Sequence, residues 1–185
     1  MPIEGLAHAS VLDAYDLLMG ERDIGLSPGG KVVVYGGGET GCETAEFCAQ
    51  KGLTVTLVSR SPASKLARSA DFVYRGALLR RLHANPAITI LDNCHVRAVT
   101  SEGVLVETMG GAENGTRTIQ ADRVLLAQGR QSSTLLHDQL ERAGIPVALA
   151  GDSKQVGRIG DAVHMAYRSV LALQAQFGPT TPAAC

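Results

Sequence analysis

Gly36-Gly37-Gly38-Glu39-Thr40-Gly41 is a run whose residue types and spacing could hold a diphosphate. The spacing is GxGxxG, and each glycine has its own reason to lack a side chain. Gly36 permits a tight turn, Gly38 lets a pyrophosphate approach the backbone, and Gly41 allows a helix to pack closely on a strand. The helix starting there would turn free amides and a partial positive charge towards the phosphates. An unliganded glycine turn would satisfy the same spacing. The surroundings favour the ligand: Lys31-Val32-Val33-Val34-Tyr35 precedes the loop as a buried-strand pattern, and a helical pattern follows to about Lys51.

A second group closes the next apolar run, Thr54 to Val58. Ser59, Arg60 and Ser61, with Lys65 and Arg68 behind, stand where an acidic residue would bind an unmodified ribose 2′-OH. A carboxylate there would repel a 2′-phosphate, whereas a hydroxyl and a guanidinium would bind it. One charge-assisted hydrogen bond contributes roughly 1.5–3 kcal/mol. The pattern favours NADP(H), with NAD(H) as the alternative. The blander reading makes Arg60 and Lys65 solvated charges on a polar loop. Glu43, one turn into the helix, either complements the helix dipole or faces the ligand. Cys42 is either an activated thiol at a helix end or a small buried residue. His95, His137 and His164 are scattered and suggest no metal site, and no GxSxG accompanies the serines. No residue stands out as a catalytic acid, base or nucleophile.

The elements that must position these groups alternate strand and helix. A helix is expected from Ala70 to His83, with Phe72, Val73, Leu79 and Leu82 at helical spacing, and a third parallel strand from Ile88 to Leu91. Short strands at His95 to Thr100, Gly103 to Thr108 and Arg117 to Gln120, joined by Ser-Glu-Gly and a Gly/Asn-rich turn, read as an antiparallel meander. Arg123 to Ala127 then reads as another buried strand. The expected fold class is α/β: a Rossmann-like three-layer nucleotide-binding domain with a parallel sheet and an antiparallel β-meander, spanning residues 30–130. Residues 1–29 carry an amphipathic helix candidate, Val11 to Met19, with Ser10 as N-cap. Residues 131–177 end in a long helix from about Asp161, and 178–185 read as a disordered tail.

Composition narrows the function classes. The chain has 185 residues, a formal net charge of -1, and 45% hydrophobic against 4% aromatic residues. A near-neutral chain has no general electrostatic drive towards nucleic acid or an anionic membrane. No apolar run approaches the ~20 residues that span a bilayer. The first residues, Met1 to Ser10, lack the basic head and apolar run of a signal peptide. Cys42, Cys48, Cys94 and Cys185 form no CxxC pair, so reduced thiols in a cytoplasm are expected.

The run from Gly36 through Cys42-Glu43-Thr44-Ala45-Glu46-Phe47, followed by Val55 to Val58, resembles the NAD(P)-binding domain of two-dinucleotide-fold flavoprotein reductases. The nearest group is the C-terminal region of the 2,4-dienoyl-CoA reductase and 2-enoate reductase (NADH:flavin oxidoreductase) enzymes. Gly157 to Arg168 is similar to that group's terminal helix, and Ala150-Gly151-Asp152 to its flavin-contacting Gly-Asp motif. The resemblance implies that Glu43 contacts the nicotinamide carboxamide, that Gly129 closes the nucleotide domain, and that Asp152 contacts the ribitol of FAD. It implies hydride transfer from nicotinamide to FAD, and onward transfer through an iron–sulfur cluster to FMN on a barrel.

The departures are equally informative. The FAD domain's own GxGxxG, the FMN barrel and the cluster cysteines are not in this sequence, nor is the CxxC of thioredoxin reductases. Residues 1–29 and 131–177 therefore read as edges of an incomplete FAD domain. The expected function is an NADP(H)-binding domain, inactive alone, whose partners are a nicotinamide dinucleotide and the FAD, FMN and iron–sulfur portions of a larger flavoenzyme. FAD belongs only to that complete enzyme. The alternatives are a non-catalytic scaffold domain of an amine-dehydrogenase-like flavoprotein, and a glycine loop holding the ADP part of FAD.

Overall fold

The computed structural model describes residues 3–109 and 115–178. From the N-terminus run β1 (Val11–Asp13), α1 (Ala14–Leu18), β2 (Lys31–Tyr35), α2 (Glu39–Gln50), β3 (Thr54–Val58), α3 (Phe72–Ala84) and β4 (Ile88–Leu91). There follow β5 (Cys94–Thr100), β6 (Gly103–Thr108), β7 (Thr116–Ile119), β8 (Arg123–Leu126), α4 (Leu135–Arg142) and α5 (Ile159–Phe177). The chain divides into two compact units, Met1–Gly129 and Arg130–Cys185.

The first unit is built on a five-stranded parallel sheet in the order β1-β8-β2-β3-β4, with β5-β6-β7 as a separate antiparallel sheet. Strand alternation explains why β2 and β3 read as continuous apolar runs. Val32, Val34, Val55, Leu57 and Leu125 turn to one face, where they meet Ala14, Cys42, Ala45, Cys48, Leu78 and Leu82 from the helices. Val33, Tyr35, Val58 and Val124 turn to the other face and meet Val96, Val99, Val104 and Val106 of the meander. Each fully buried apolar side chain contributes roughly 1.5–3 kcal/mol. Three layers result: helices, parallel sheet, meander. The expected α/β class with a parallel sheet and an antiparallel meander is borne out.

Three local expectations are corrected. Val11 to Asp13 is not the start of a helix but an edge strand, because Val11, Leu12 and Asp13 pair in parallel with Val124, Leu125 and Leu126. That long-range pairing overrides the local pattern, and Asp13 rather than Ser10 caps the shortened α1 by accepting from the Tyr15 amide at 2.7 Å. On α3 the buried side chains are Leu78 and Leu82, while Phe72 and Val73 are 86% and 77% exposed. The helix α4 has no counterpart in the sequence reading. Most of the Gly/Asn-rich turn (110–114) and residues 179–185 of the tail lie outside the described residues.

In the second unit, Asp161 accepts from the Arg158 amide at 3.1 Å to start α5, and Ser169 donates to the Leu149 carbonyl at 3.1 Å. None of this unit's described residues is buried. Ile159, Val163, Tyr167, Val170 and Leu171, at helical spacing along α5, are all exposed. Among the described residues, no helix is long and apolar enough to cross a membrane.

The glycine loop between β2 and α2 is set by close packing. Gly36 has φ 140°, and a Cβ there would stand 2.1 Å from the Ala127 carbonyl oxygen. A Cβ on Gly41 would stand 1.8 Å from the Gly36 carbonyl oxygen, whereas one on Gly38 would meet nothing within 4 Å. Gly36→Ala should therefore cost roughly 3 kcal/mol and lower the melting temperature by on the order of 10 °C. Gly38→Ala should cost no more than about 1 kcal/mol, the ordinary penalty at a helix N-cap. Thermal denaturation of the two variants checks the contrast.

Candidate functional site

The glycine loop delivers the N-terminus of α2 to the C-terminal edge of the parallel sheet, at the end of β2. Gly38 is the N-cap, extended at φ -72° and ψ 179°, and no side chain caps the helix. The Gly36 amide donates to the Val58 carbonyl at 2.9 Å, which ties the turn to the end of β3. Glu39 and Gly37 are half-buried and Thr40 is exposed, while Gly36 and Gly41 are buried. A bare Gly38 thus leaves open space in front of a helix start whose amides and dipole favour an anion. The cradle fits a diphosphate.

The loop after β3 is pinned against that cradle. The Ala67 amide donates to the Gly37 carbonyl at 2.9 Å, and Ala67 itself is buried in a left-handed conformation at φ 47°. Arg75 of α3 donates to the carbonyls of Leu66 (2.7 Å) and Ser64 (2.6 Å), and Asp92 accepts from the Ala63 amide at 2.6 Å. Lys65, Arg68 and Arg75 share a hollow with Ser64, Ala70 and Phe72. Arg60, Ser61, Lys65 and Arg68 are all exposed. Ser59 differs from them. It is 1% exposed, donates to the Ser61 carbonyl at 2.9 Å, accepts from the Ser61 amide at 3.2 Å, and lies where a Cβ on Gly37 would go. Its hydroxyl shapes the turn from behind.

Glu43, half-buried on α2, accepts a 2.6 Å hydrogen bond from the Tyr74 hydroxyl. That bond to a carboxylate, and then burial, push the Tyr74 phenol up to about 12. His95, at the start of β5, is held below its ordinary value by burial and then by Arg97 and Arg60. Sequence reasoning passed over Tyr74, Arg75 and Ala67, and weighed His95 only as a metal ligand. Only their contacts mark them, and no local motif carries those.

The structure thus brings Gly36 to Gly41, Glu43, Ser59, Arg60, Ser61 and Lys65 into one unit at the ends of β2 and β3. Gly129, with φ 89°, ends that unit two residues past Ala127, the neighbour of Gly36. Asp152 belongs to the second unit, where it pairs with Arg130 at 3.1 Å and accepts from the Gly157 amide at 3.1 Å. On α4, His137, Asp138 and Glu141 offer ligand atoms within 4.8 Å of one another, an ordinary arrangement for polar side chains within one helical turn.

The sequence profile of the pyridine nucleotide-disulphide oxidoreductases matches residues 2–162. The chain belongs to the pyridine nucleotide-disulphide oxidoreductase family. It is 32% identical over 159 residues to an NADH oxidase of Thermoanaerobacter brockii, covering 85% of this chain and 23% of that protein. A 2-naphthoyl-CoA reductase structure superposes with a TM-score of 0.74 at 27% identity, over 91% of this chain and 24% of that one. A histamine dehydrogenase from Rhizobium sp. 4-9 shares the fold with a TM-score of 0.74 at 24% identity, over 100% of this chain and 28% of that one. The chain spans about a quarter of the length of the curated relatives it matches. The resemblance to the NAD(P)-binding domain of a flavoprotein reductase is borne out.

The family's name includes disulphide chemistry, and the thiols described here are poorly suited to it. Cys42, Cys48 and Cys94 are free and buried, and burial pushes Cys42 and Cys48 up to about 11 each. The alternative of an activated Cys42 thiol at the helix end is thereby overturned: burial outweighs any help from the helix dipole. At pH 8 only about one thiol in a thousand would be ionised. Iodoacetamide at pH 8 should leave Cys42 and Cys48 largely unmodified in the native chain and label both after denaturation, as read by mass spectrometry.

Proposed function

We propose that the chain is the NADP(H)-binding domain of a larger flavin-dependent oxidoreductase. The observation that carries this is the open, side-chain-free start of α2 at Gly38, walled by glycines that tolerate no Cβ. In this reading the backbone of Gly36, Gly37, Gly38, Glu39, Thr40 and Gly41 holds the pyrophosphate. Glu43 accepts from the carboxamide of the nicotinamide. Arg60, Ser61 and Lys65 hold the 2′-phosphate, with Ser59 fixing the Ser61 backbone behind them. When bound, the nicotinamide supplies a hydride that passes to FAD in the complete enzyme.

Residues 30–130 form the nucleotide domain in this proposal, with β1 and α1 from residues 1–29 built into its sheet and core, and 131–177 is an edge of a flavin domain in the larger enzyme. The unburied apolar row on α5 and the unburied second unit support that division. Gly129 then closes the nucleotide domain, and Asp152 contacts the ribitol of FAD. FMN and iron–sulfur portions would belong to the same larger enzyme. Free thiols fit a cytoplasmic setting.

Two alternatives remain distinct in outcome. The name of one relative, NADH oxidase, points to the unphosphorylated coenzyme. The other alternative is a scaffold without a working nicotinamide site, although an empty cradle gives no physical reason to keep Gly38 bare. Calorimetric titration with NADPH, NADH and FAD separates them. NADPH should bind about tenfold more tightly than NADH, and Arg60→Ala should narrow that gap to about twofold. Equal affinities, or an unchanged preference in the variant, contradict the phosphate clamp. Failure of every nucleotide to bind favours the scaffold.

A further inference from the structure

Three carboxylates, Glu39, Glu43 and Glu46, lie at i, i+4 and i+7 along α2. Like charges at this spacing repel one another. Each is met from the chain that follows β3. Ser69 lies 3.5 Å from Glu39, Tyr74 donates to Glu43, and Arg81 of α3 pairs with Glu46.

Arg81 alone of the three partners is charged, and of the two hydroxyls Ser69 lies 3.5 Å from Glu39 whereas Tyr74 lies 2.6 Å from Glu43, so Glu43 is the carboxylate held closely without a countercharge. Arg81 brings a full positive charge to Glu46. Tyr74 brings a neutral hydroxyl, and the phenol engages Oε1 alone. The Tyr74 hydroxyl therefore brings no countercharge to Glu43 and leaves Oε2 to a second donor. Tyr74 is itself held at its base, because Asp71 accepts from the amides of Val73 and Tyr74 at 3.0 and 3.4 Å. A glutamate without such a donor would sample several rotamers, and ordering it would oppose ligand binding.

We propose that Tyr74 is a positioning residue, whose hydroxyl holds the Glu43 carboxylate in one rotamer ready to accept from the carboxamide of a bound nicotinamide. The inference rests on the reading of Glu43 given above. A cationic donor at this place would cancel the charge that the carboxamide must meet, and an apolar residue would leave the carboxylate unheld. The phenol does both tasks required: it orients, and it does not neutralise.

The test compares wild type, Tyr74→Phe, Glu43→Gln and the double variant. Each is titrated with the tighter-binding nicotinamide coenzyme and with the matching ADP-ribose fragment, which lacks nicotinamide. Tyr74→Phe should weaken the coenzyme about three- to tenfold and leave the fragment within about twofold. In the double variant the coenzyme should bind no more weakly than in Glu43→Gln alone, since the two residues act as one unit. Equal weakening of both ligands would mean a general structural role and overturn the proposal, as would no weakening or additive losses. If Glu43→Gln selectively weakens the coenzyme and Tyr74→Phe does not, Glu43 keeps its role and Tyr74 loses it. If the wild type binds neither ligand, the nucleotide reading and this inference fall together.

Discussion

Between the Ala127 carbonyl at the end of β8 and the backbone of residue 36 there is no room for a side chain, and none between residue 41 and the Gly36 carbonyl. This double contact sets how closely α2 approaches the sheet. With a Cβ at either place the helix would lift away, and its N-terminus would no longer stand over the ends of β2 and β3. The third glycine of the motif has no such duty. Gly38 faces open space, so its bareness matters only if something else comes there. Two glycines build the cradle, and one leaves it accessible.

The rest of the first unit depends on that arrangement. Ser59 packs where the Cβ of residue 37 would lie, so the turn carrying Arg60 and Ser61 starts from a fixed point on the glycine loop. Ala67 bonds the Gly37 carbonyl at the cost of a left-handed backbone, a conformation that persists only where its surroundings hold it. Arg75 secures the intervening turn. Arg60, Ser61 and Lys65 stand exposed on the loop so fixed, and Glu43 stands one turn into α2, hydrogen-bonded to Tyr74. In the proposed reading, the cations of this loop meet one part of a bound ligand and the Glu43 carboxylate meets another. A molecule bearing phosphates at one end and an amide donor at the other matches both.

Much of this was legible in the sequence because burial on two faces leaves a strong trace. The β-branched runs of β2, β3 and β8 sit between helices and meander, so both alternating faces are apolar. The glycine loop was legible for the same reason, since its steric demands act on residue type. Features that depend on distant partners left no trace. Val11 to Asp13 is a strand only through β8, more than a hundred positions away in the chain. The link from Tyr74 to Glu43 joins residues 31 positions apart, each unremarkable in its own helix. Phe72 and Val73 have the spacing of a core face but remain exposed, because Leu78 and Leu82 are the side chains that reach the sheet. The hydroxyl of Ser59 was read from type and position, and its inward turn is a property of the packed loop.

In the proposed reading, a dinucleotide lies with its pyrophosphate at the open start of α2. Amide chemical-shift mapping by NMR, with NADP+ added to the isotopically labelled chain, tests it most directly. The largest shifts should fall on Gly37, Gly38, Glu39, Thr40 and Gly41, with a second group at Arg60 and Ser61. Shifts that leave the glycine loop unmoved, or that are confined to residues 130–178, would contradict it.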